Sequence, residues 1–228
     1  MSAAARAPLQ LAILISGRGS NMASIARACL AGKINAQVRV VISDRPGVAG
    51  LDVACDLGIE ALTIPWRGAT GRDAFEQALA ESIDAHHADL IVLAGFMRIL
   101  SPQFATRYAG RMLNIHPSLL PKYTGLHTHQ RVLDAGDSEH GSSVHFVTAE
   151  LDGGPLVLQS KVPVLPGDTE PALTARVQAT EHIIYPKVIG MVADGRLTWD
   201  QGRVRLDGRP LDIPLVENFS GSQAPTPR

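Results

Sequence analysis

Cysteine is nearly absent. Cys29 and Cys55 are the two present in 228 residues, both in stretches that read as helices, so neither a disulfide framework nor a zinc knuckle is encoded. An excess of one charge is also missing: 21 Lys+Arg against 22 Asp+Glu leave a net charge of −1. Nucleic acid and anionic membranes call for a concentrated basic surface, so neither is expected as a partner. No apolar run approaches the ~20 residues of a membrane helix. Met1 to Pro8 holds no hydrophobic segment before Leu9, which reads as the lack of a secretory signal and as a cytoplasmic setting. Apolar residues, at 45%, are plentiful enough to exclude disorder throughout, and the length suits one sizeable α/β core.

The first half alternates in kind. Residues 9–15 form an almost unbroken apolar run, the pattern of a strand buried on both faces of a parallel sheet. A glycine-rich turn and a helix to Leu30 follow, then a strand from Val38 to Ser43, a helix ending near Gly58, a short strand at 61–64, a helix over 72–85 and a strand from Leu90 to Ala94. This order predicts a doubly wound sheet with helices on both faces. The second half predicts strands at 111–116, 142–148 and 156–164, and a helix from about Glu170 to Val192, with Asp168/Thr169 as caps and Pro171 in its first turn. A small hairpin over 197–206 precedes an Asp207-Gly208 turn. The fold class is α/β: a single, Rossmann-like, mostly parallel sheet with an antiparallel C-terminal extension.

Gly17-Arg-Gly-Ser-Asn-Met22 leaves the first strand and opens a helix. Glycines there let successive N–H groups and a helix N-terminus face an anion, and Ser20 and Asn21 add side-chain donors. A dinucleotide fingerprint would need a third glycine where Met22 stands, and the Walker Lys-Ser/Thr ending is missing. A single phosphate monoester is the ligand this loop suits; a tight turn without a ligand is the plainer alternative.

Leu113-Asn-Ile-His-Pro117 carries the chemistry. Pro117 keeps His116 extended, so Asn114 and His116 share one face while Leu113 and Ile115 take the other. A histidine can exchange a proton near neutrality, and an Asn amide can donate to a developing oxyanion. Together they suit acyl transfer to a nucleophile brought by the substrate, because no Gly-x-Ser-x-Gly elbow and no fitting cysteine is present. The same residues also suit a hydrogen-bonded core histidine beside a turn asparagine. The pair lacks a carboxylate to orient the imidazole. Asp152, beside Gly153 and Gly154, is a candidate, and equally an ordinary turn aspartate.

These segments, with Leu93-Ala-Gly-Phe-Met-Arg-Ile-Leu-Ser-Pro102, the stretch from Asn114 to His129, His140-Gly-Ser-Ser-Val-His-Phe-Val-Thr148 and Glu150-Leu-Asp-Gly-Gly-Pro155, resemble the phosphoribosylglycinamide formyltransferases, folate-dependent enzymes of de novo purine synthesis. The resemblance runs in order from about Leu11 to Leu197 and departs after Thr198. It implies formyl transfer from 10-formyltetrahydrofolate, as donor cosubstrate, to the glycinamide amine of a ribonucleotide. By that resemblance Asn114, His116 and Asp152 are catalytic, with His116 as general acid. Gly19, Ser20, Asn21 and Glu181 bind the ribonucleotide. Arg72, Met97, Arg98, Ile99, Leu100, Asn114 and Thr148 line the folate site. With no internal repeat and no linker, the chain reads as one domain over 9–206, with 9–110 as the phosphate- and nucleotide-binding half, 111–206 as the catalytic and folate-binding half, and loose termini at 1–8 and 217–228.

The remaining histidines (His86, His87, His127, His129, His140 and His182) have no carboxylate or cysteine partners at ligand spacing, so no metal is expected. His145 alternates with Phe146 on a strand and faces either the cleft or the core. Residues 123–131 read as a flap or as a packed connector. The partners expected are small molecules, and a homodimer is among the assemblies the sequence allows. Related activities on the same residue pattern, methionyl-tRNA formyltransferase and formyltetrahydrofolate hydrolase, call for an added C-terminal and N-terminal domain respectively. A nucleotide-binding module without catalysis would explain the glycine loop but not the Asn/His/Asp set.

Overall fold

A computed structural model describes residues 6–67 and 71–220. The first half alternates as β1 (Leu9–Ile15), α1 (Ser20–Leu30), β2 (Ala36–Ser43), α2 (Ala49–Asp56), β3 (Ala61–Thr63), α3 (Arg72–Ala85) and β4 (Leu90–Leu93). The second half adds α4 (Pro102–Arg107), β5 (Met112–His116), α5 (Thr128–Ala135), β6 (Glu139–Phe146), β7 (Leu156–Pro163) and the long α6 (Glu170–Ala193). The strands β8 (Leu197–Asp200), β9 (Arg203–Leu206) and β10 (Arg209–Pro210) form a small antiparallel sheet, and β11 (Leu215–Asn218) returns to the main one.

The main sheet has eight strands in the order β11-β7-β6-β5-β4-β1-β2-β3. β6 runs antiparallel to both neighbours, and the other pairings are parallel. Alternation along the strands divides the core in two. Leu11, Ile13, Ile15, Leu113 and Ile115 pack with Ile184, Tyr185 and Val188 of α6 on one face. Ala12, Leu14, Ile91, Leu93 and Met112 pack with Phe75, Leu79 and Ile83 of α3 on the other. Burying one such Leu or Ile side chain contributes about 1.5–3 kcal/mol, and the central strands do so on both sides. The fully buried Tyr185 lies with its hydroxyl 3.0 Å from the carbonyls of both Leu93 and Leu113, pinning α6 beneath β4 and β5.

Several features differ from the sequence expectations. α4 was not predicted, although Ser101 caps it by accepting the Phe104 N–H with Pro102 in its first turn. Part of the expected flap, from Thr128 on, is the first turn of α5, which buries Thr128 and Val132. The loose C-terminus expected from 217 is not loose over its first residues: Glu217 and Asn218 pair with β7, and the Phe219 N–H donates to the Lys161 carbonyl, so partner backbone holds them. At the other end the Arg6 carbonyl accepts from Asn35 Nδ2 at 2.9 Å, which ties part of the expected loose segment 1–8 to the sheet edge. The rest of both termini, residues 1–5 and 221–228, lies outside the described residues. The hairpin at 197–206 forms as expected, and Asp207 and Gly208, both at positive φ, turn the chain into β10. Among the described residues, no helix is long and apolar enough to cross a membrane.

Candidate active site

β1 lies between β4 and β2; the connection after β1 passes through α1 on the α6-side face of the sheet, and the one after β4 passes through α4 on the α3-side face. In such sheets the crevice opens at the carboxyl ends of the strands where the order reverses. Two loops line it here. The one after β1, together with the first turn of α1, carries Gly17 to Asn21, and the one after β4 carries Ala94 to Ser101. Ser16 joins them: its Oγ accepts the Met97 N–H at 2.8 Å, and its N–H donates to the Gly95 carbonyl.

Gly19 starts α1 at φ 71°, in the left-handed region that favours glycine. A Cβ there would lie 2.9 Å from Gly50 Cα, and the Gly50 N–H donates to the Gly17 carbonyl at 3.1 Å. α2 therefore packs backbone to backbone against the loop. No side chain caps α1, so its first N–H groups face the crevice without a helical partner, a setting for an anion. Asn21 Nδ2 donates to Glu181 Oε2 at 2.8 Å, and Gln178 Nε2 donates to Ser20 Oγ at 3.0 Å. Glu181 and Gln178 lie three residues apart on α6, one face reaching the loop. Burial pushes the Glu181 carboxyl above its usual range, opposed by the Asn21 hydrogen bond. Asn21 Oδ1 is buried without a protein partner. The expected ribonucleotide set of Gly19, Ser20, Asn21 and Glu181 thus meets in one place, joined by Gln178, which the i, i+3 spacing in α6 could have revealed.

At the carboxyl end of β5 the alternation holds: Leu113 and Ile115 enter the α6-side core, and Asn114 and His116 take the opposite face. His116 is 6% exposed. Its Nε2 donates to the Tyr123 carbonyl at 2.9 Å, and its Nδ1 lies 3.6 Å from Asp152 Oδ2. A ring carrying both protons would face an oxygen acceptor on each side. β6 runs against β5, so the β6–β7 loop starts beside the amino end of β5 and folds back to bring Asp152 to His116 at the carboxyl end. Gly154 permits this, because a Cβ there would overlap the Phe146 carbonyl oxygen. Asp152 itself adopts φ 52°, and its Oδ2 also accepts the Gly125 N–H at 2.9 Å. Loop 123–127 therefore touches both members of the pair. Thr148 stands at the start of the same returning loop, partly buried.

His145, on β6 opposite Asn114, resolves as a partner of the site. Its Nδ1 lies 2.9 Å from the Phe146 carbonyl and must donate to it, which leaves Nε2 as acceptor for Asn114 Nδ2 at 3.1 Å. Burial pushes the His145 imidazole below its usual range and keeps it neutral, as an acceptor requires. Asn114 keeps one N–H and its carbonyl oxygen for other partners. His129 Nδ1 of α5 and His140 Nε2 of β6 form a histidine pair at 2.9 Å. Among the described residues no group of three or more His, Cys, Asp or Glu is arranged to hold a metal ion.

The expected folate residues occupy the other wall. Met97 and Ile99 are 55% and 60% exposed, Leu100 packs against the α3-side core, and Arg98 donates from Nε to Asp44 Oδ2 at 2.6 Å. The loop is anchored from below by buried Glu76, which accepts the Ser101 N–H at 2.7 Å and also bonds the Ser101 hydroxyl. Arg72 opens α3 exposed and makes no hydrogen bond or ion pair among the described residues, so it stands apart from the other candidates.

The uncapped start of α1, the Asn114–His116–Asp152 convergence and the exposed Met97 and Ile99 all belong to the carboxyl-end side of one sheet. The chain matches the formyl transferase family over residues 9–189 and belongs to it. Within that class it is 53% identical to phosphoribosylglycinamide formyltransferase of Escherichia coli (strain K12) over 203 residues, covering 89% of this chain and 96% of that one. It is 44% identical to the enzyme of the same name from Haemophilus influenzae, over 89% of this chain and 95% of the other. The solved phosphoribosylglycinamide formyltransferase from Coxiella burnetii superposes with a TM-score of 0.88 at 48% identity, covering 92% and 99% of the two chains.

Proposed function

We propose that this enzyme transfers the formyl group of 10-formyltetrahydrofolate directly to the amine of phosphoribosylglycinamide, giving the N-formyl ribonucleotide and tetrahydrofolate. The observation that carries the reading is the convergence of Asn114, His116 and Asp152 at the same carboxyl end of the sheet as the uncapped N-terminus of α1. The phosphate lies against the N–H groups of α1, and the ribose hydroxyls lie against Asn21 and Glu181. The pterin and benzoyl rings of the donor lie along Met97, Ile99, Leu100 and Thr148, with Arg72 and Arg98 toward its anionic end.

The neutral amine attacks the formyl carbon, forming a C–N bond as the carbonyl oxygen takes up negative charge. The free N–H of Asn114 and the protonated imidazole of His116 stabilise that charge. Losing one donor of this kind costs about 2.7–4 kcal/mol. Nε2 of His116, exchanging the Tyr123 carbonyl for the donor, then gives its proton to N10 as the N10–carbon bond breaks, and the imidazole takes up the proton that the attacking nitrogen sheds as it becomes the amide, so the proton count balances. Asp152 stabilises the imidazolium and fixes its orientation. Holding two substrates in one crevice supplies much of the remaining acceleration.

The test mixes protein, 10-formyltetrahydrofolate and phosphoribosylglycinamide and follows loss of the donor. Loss that requires the ribonucleotide supports the proposal. Loss without it indicates a hydrolase, and no loss indicates a binding module; either result overturns it.

A further inference from the structure

Arg98 is held more firmly than a rim arginine needs to be. Its Nε donates to Asp44 Oδ2 at 2.6 Å, and its guanidinium carbon sits 5.1 Å from the centre of the Trp66 ring. The Asp44 side chain is fully buried, and its Oδ1 has no hydrogen-bond partner. The two clamping residues are themselves fixed. Ser43 Oγ accepts the Arg45 N–H and donates to the Arg45 carbonyl, turning the chain sharply at the end of β2. The Asp44 carbonyl accepts the Trp66 N–H at 3.1 Å, and Trp66 stands edge-on to Phe75 of α3, with centroids 5.1 Å apart. One edge and one face of the guanidinium are thus occupied. Its two terminal nitrogens make no hydrogen bond among the described residues, and the side chain remains 24% exposed at the crevice.

A planar fork of free N–H groups matches a carboxylate in two parallel hydrogen bonds. Met97 and Ile99 flank it as exposed apolar surface, an arrangement that fits an aryl ring followed by an anionic end. The donor in the reaction proposed above has that form, a benzoyl ring joined to glutamate. Asp44, fully buried, reaches the crevice only through Arg98, and Trp66 presents its ring to the Arg98 guanidinium. Together with Arg45, whose Nε lies 3.8 Å from Asp44 Oδ2, the cluster keeps a net positive charge toward an arriving anion.

We propose that Asp44 and Trp66 are positioning residues for the formyl donor, holding the Arg98 guanidinium so that its terminal fork receives the glutamyl carboxylate. This inference rests on the function proposed above. Pre-ordering a long side chain is worth about three- to tenfold in affinity. The gain belongs only to ligands that carry the carboxylate.

The experiment compares two donors, 10-formyltetrahydrofolate and 10-formyltetrahydropteroate, which lacks the glutamate, with wild type, Asp44→Asn, Asp44→Ala, Trp66→Ala, Trp66→Phe and Arg98→Ala. Asp44→Ala and Trp66→Ala are expected to raise KM for the glutamyl donor about three- to tenfold with kcat nearly kept, and to leave KM for the pteroate donor unchanged. Asp44→Asn, which keeps an acceptor for Nε, and Trp66→Phe, which keeps a ring face, should fall between these and wild type. Adding Asp44→Ala to Arg98→Ala should change nothing further. Equal rises for both donors, a fall in kcat alone, or no effect would overturn the inference while leaving the function intact. A wild-type protein that transfers formyl from neither donor would overturn the function and the inference with it.

Discussion

Asp152 Oδ2 lies 3.6 Å from His116 Nδ1 while accepting the Gly125 N–H at 2.9 Å, so one oxygen holds both the imidazole and the loop beside it. His116→Ala should lower kcat by at least ~10²-fold, the usual worth of a general acid, with donor binding little changed. Asp152→Asn keeps the shape and removes the charge that stabilises the imidazolium, so kcat should fall by at least about tenfold. Steady-state kinetics with both substrates varied, beside donor binding by fluorescence, check both. Turnover near wild type in either variant would contradict the assigned roles.

His145→Ala removes the acceptor that orients the Asn114 amide. A buried donor left without its partner costs about 1–3 kcal/mol, so kcat should fall about fivefold or more while both KM values stay near wild type. A change confined to thermal stability would make His145 a core residue only.

Gly154→Ala should destabilise the fold by about 1–3 kcal/mol and lower kcat as well, because the added Cβ meets the Phe146 carbonyl and displaces the Asp152 loop. Gly167→Ala serves as control, since a Cβ there meets nothing within 4 Å, although its positive φ adds some strain. Chemical denaturation and kcat, measured together, separate the two effects.

Acidification should weaken the fold through the histidine pair. Burial, then the neighbouring His129, push the His140 imidazole down to about 4, and burial lowers His129 as well. The unfolded chain, with ordinary histidines near 6.5, binds these protons more readily, so stability is fully present above pH 6.5 and declines as the pH falls toward 4. The pair also needs one ring as donor and the other as acceptor, which double protonation forbids. Replacing His140 with Gln should flatten the slope of melting temperature against pH over that window; an unchanged slope would place the acid sensitivity elsewhere.

The sheet and its crevice are legible in the sequence because buried parallel strands write themselves as apolar runs, and because the glycine turn after β1 can do little but curl. Asn114 and His116 are legible for a local reason: Pro117 forces an extended backbone, which puts alternate residues on one face. The partnership of His116 with Asp152 is not local. It depends on β6 running against β5 and on a loop folding back to the carboxyl end of β5, and no spacing along the chain encodes that path. α4, at six residues, is too short for an apolar period despite its Ser101-Pro102 start, and α5 buries just Thr128 and Val132. β11 is four residues of mixed polarity that pair with β7, so nothing in its composition announces it. The Asp44–Arg98–Trp66 clamp joins three separate connections of the fold and emerges only once the strands are ordered.

The account stands on direct passage of the formyl carbon between two bound substrates, and following that carbon tests it most directly. With a 13C-formyl donor and phosphoribosylglycinamide in a single turnover, all label should appear on the glycinamide nitrogen at the rate the donor is consumed, and the His116→Ala protein should do neither at a comparable rate. Label released as free formate, or label transferred by His116→Ala as fast as by wild type, would contradict it.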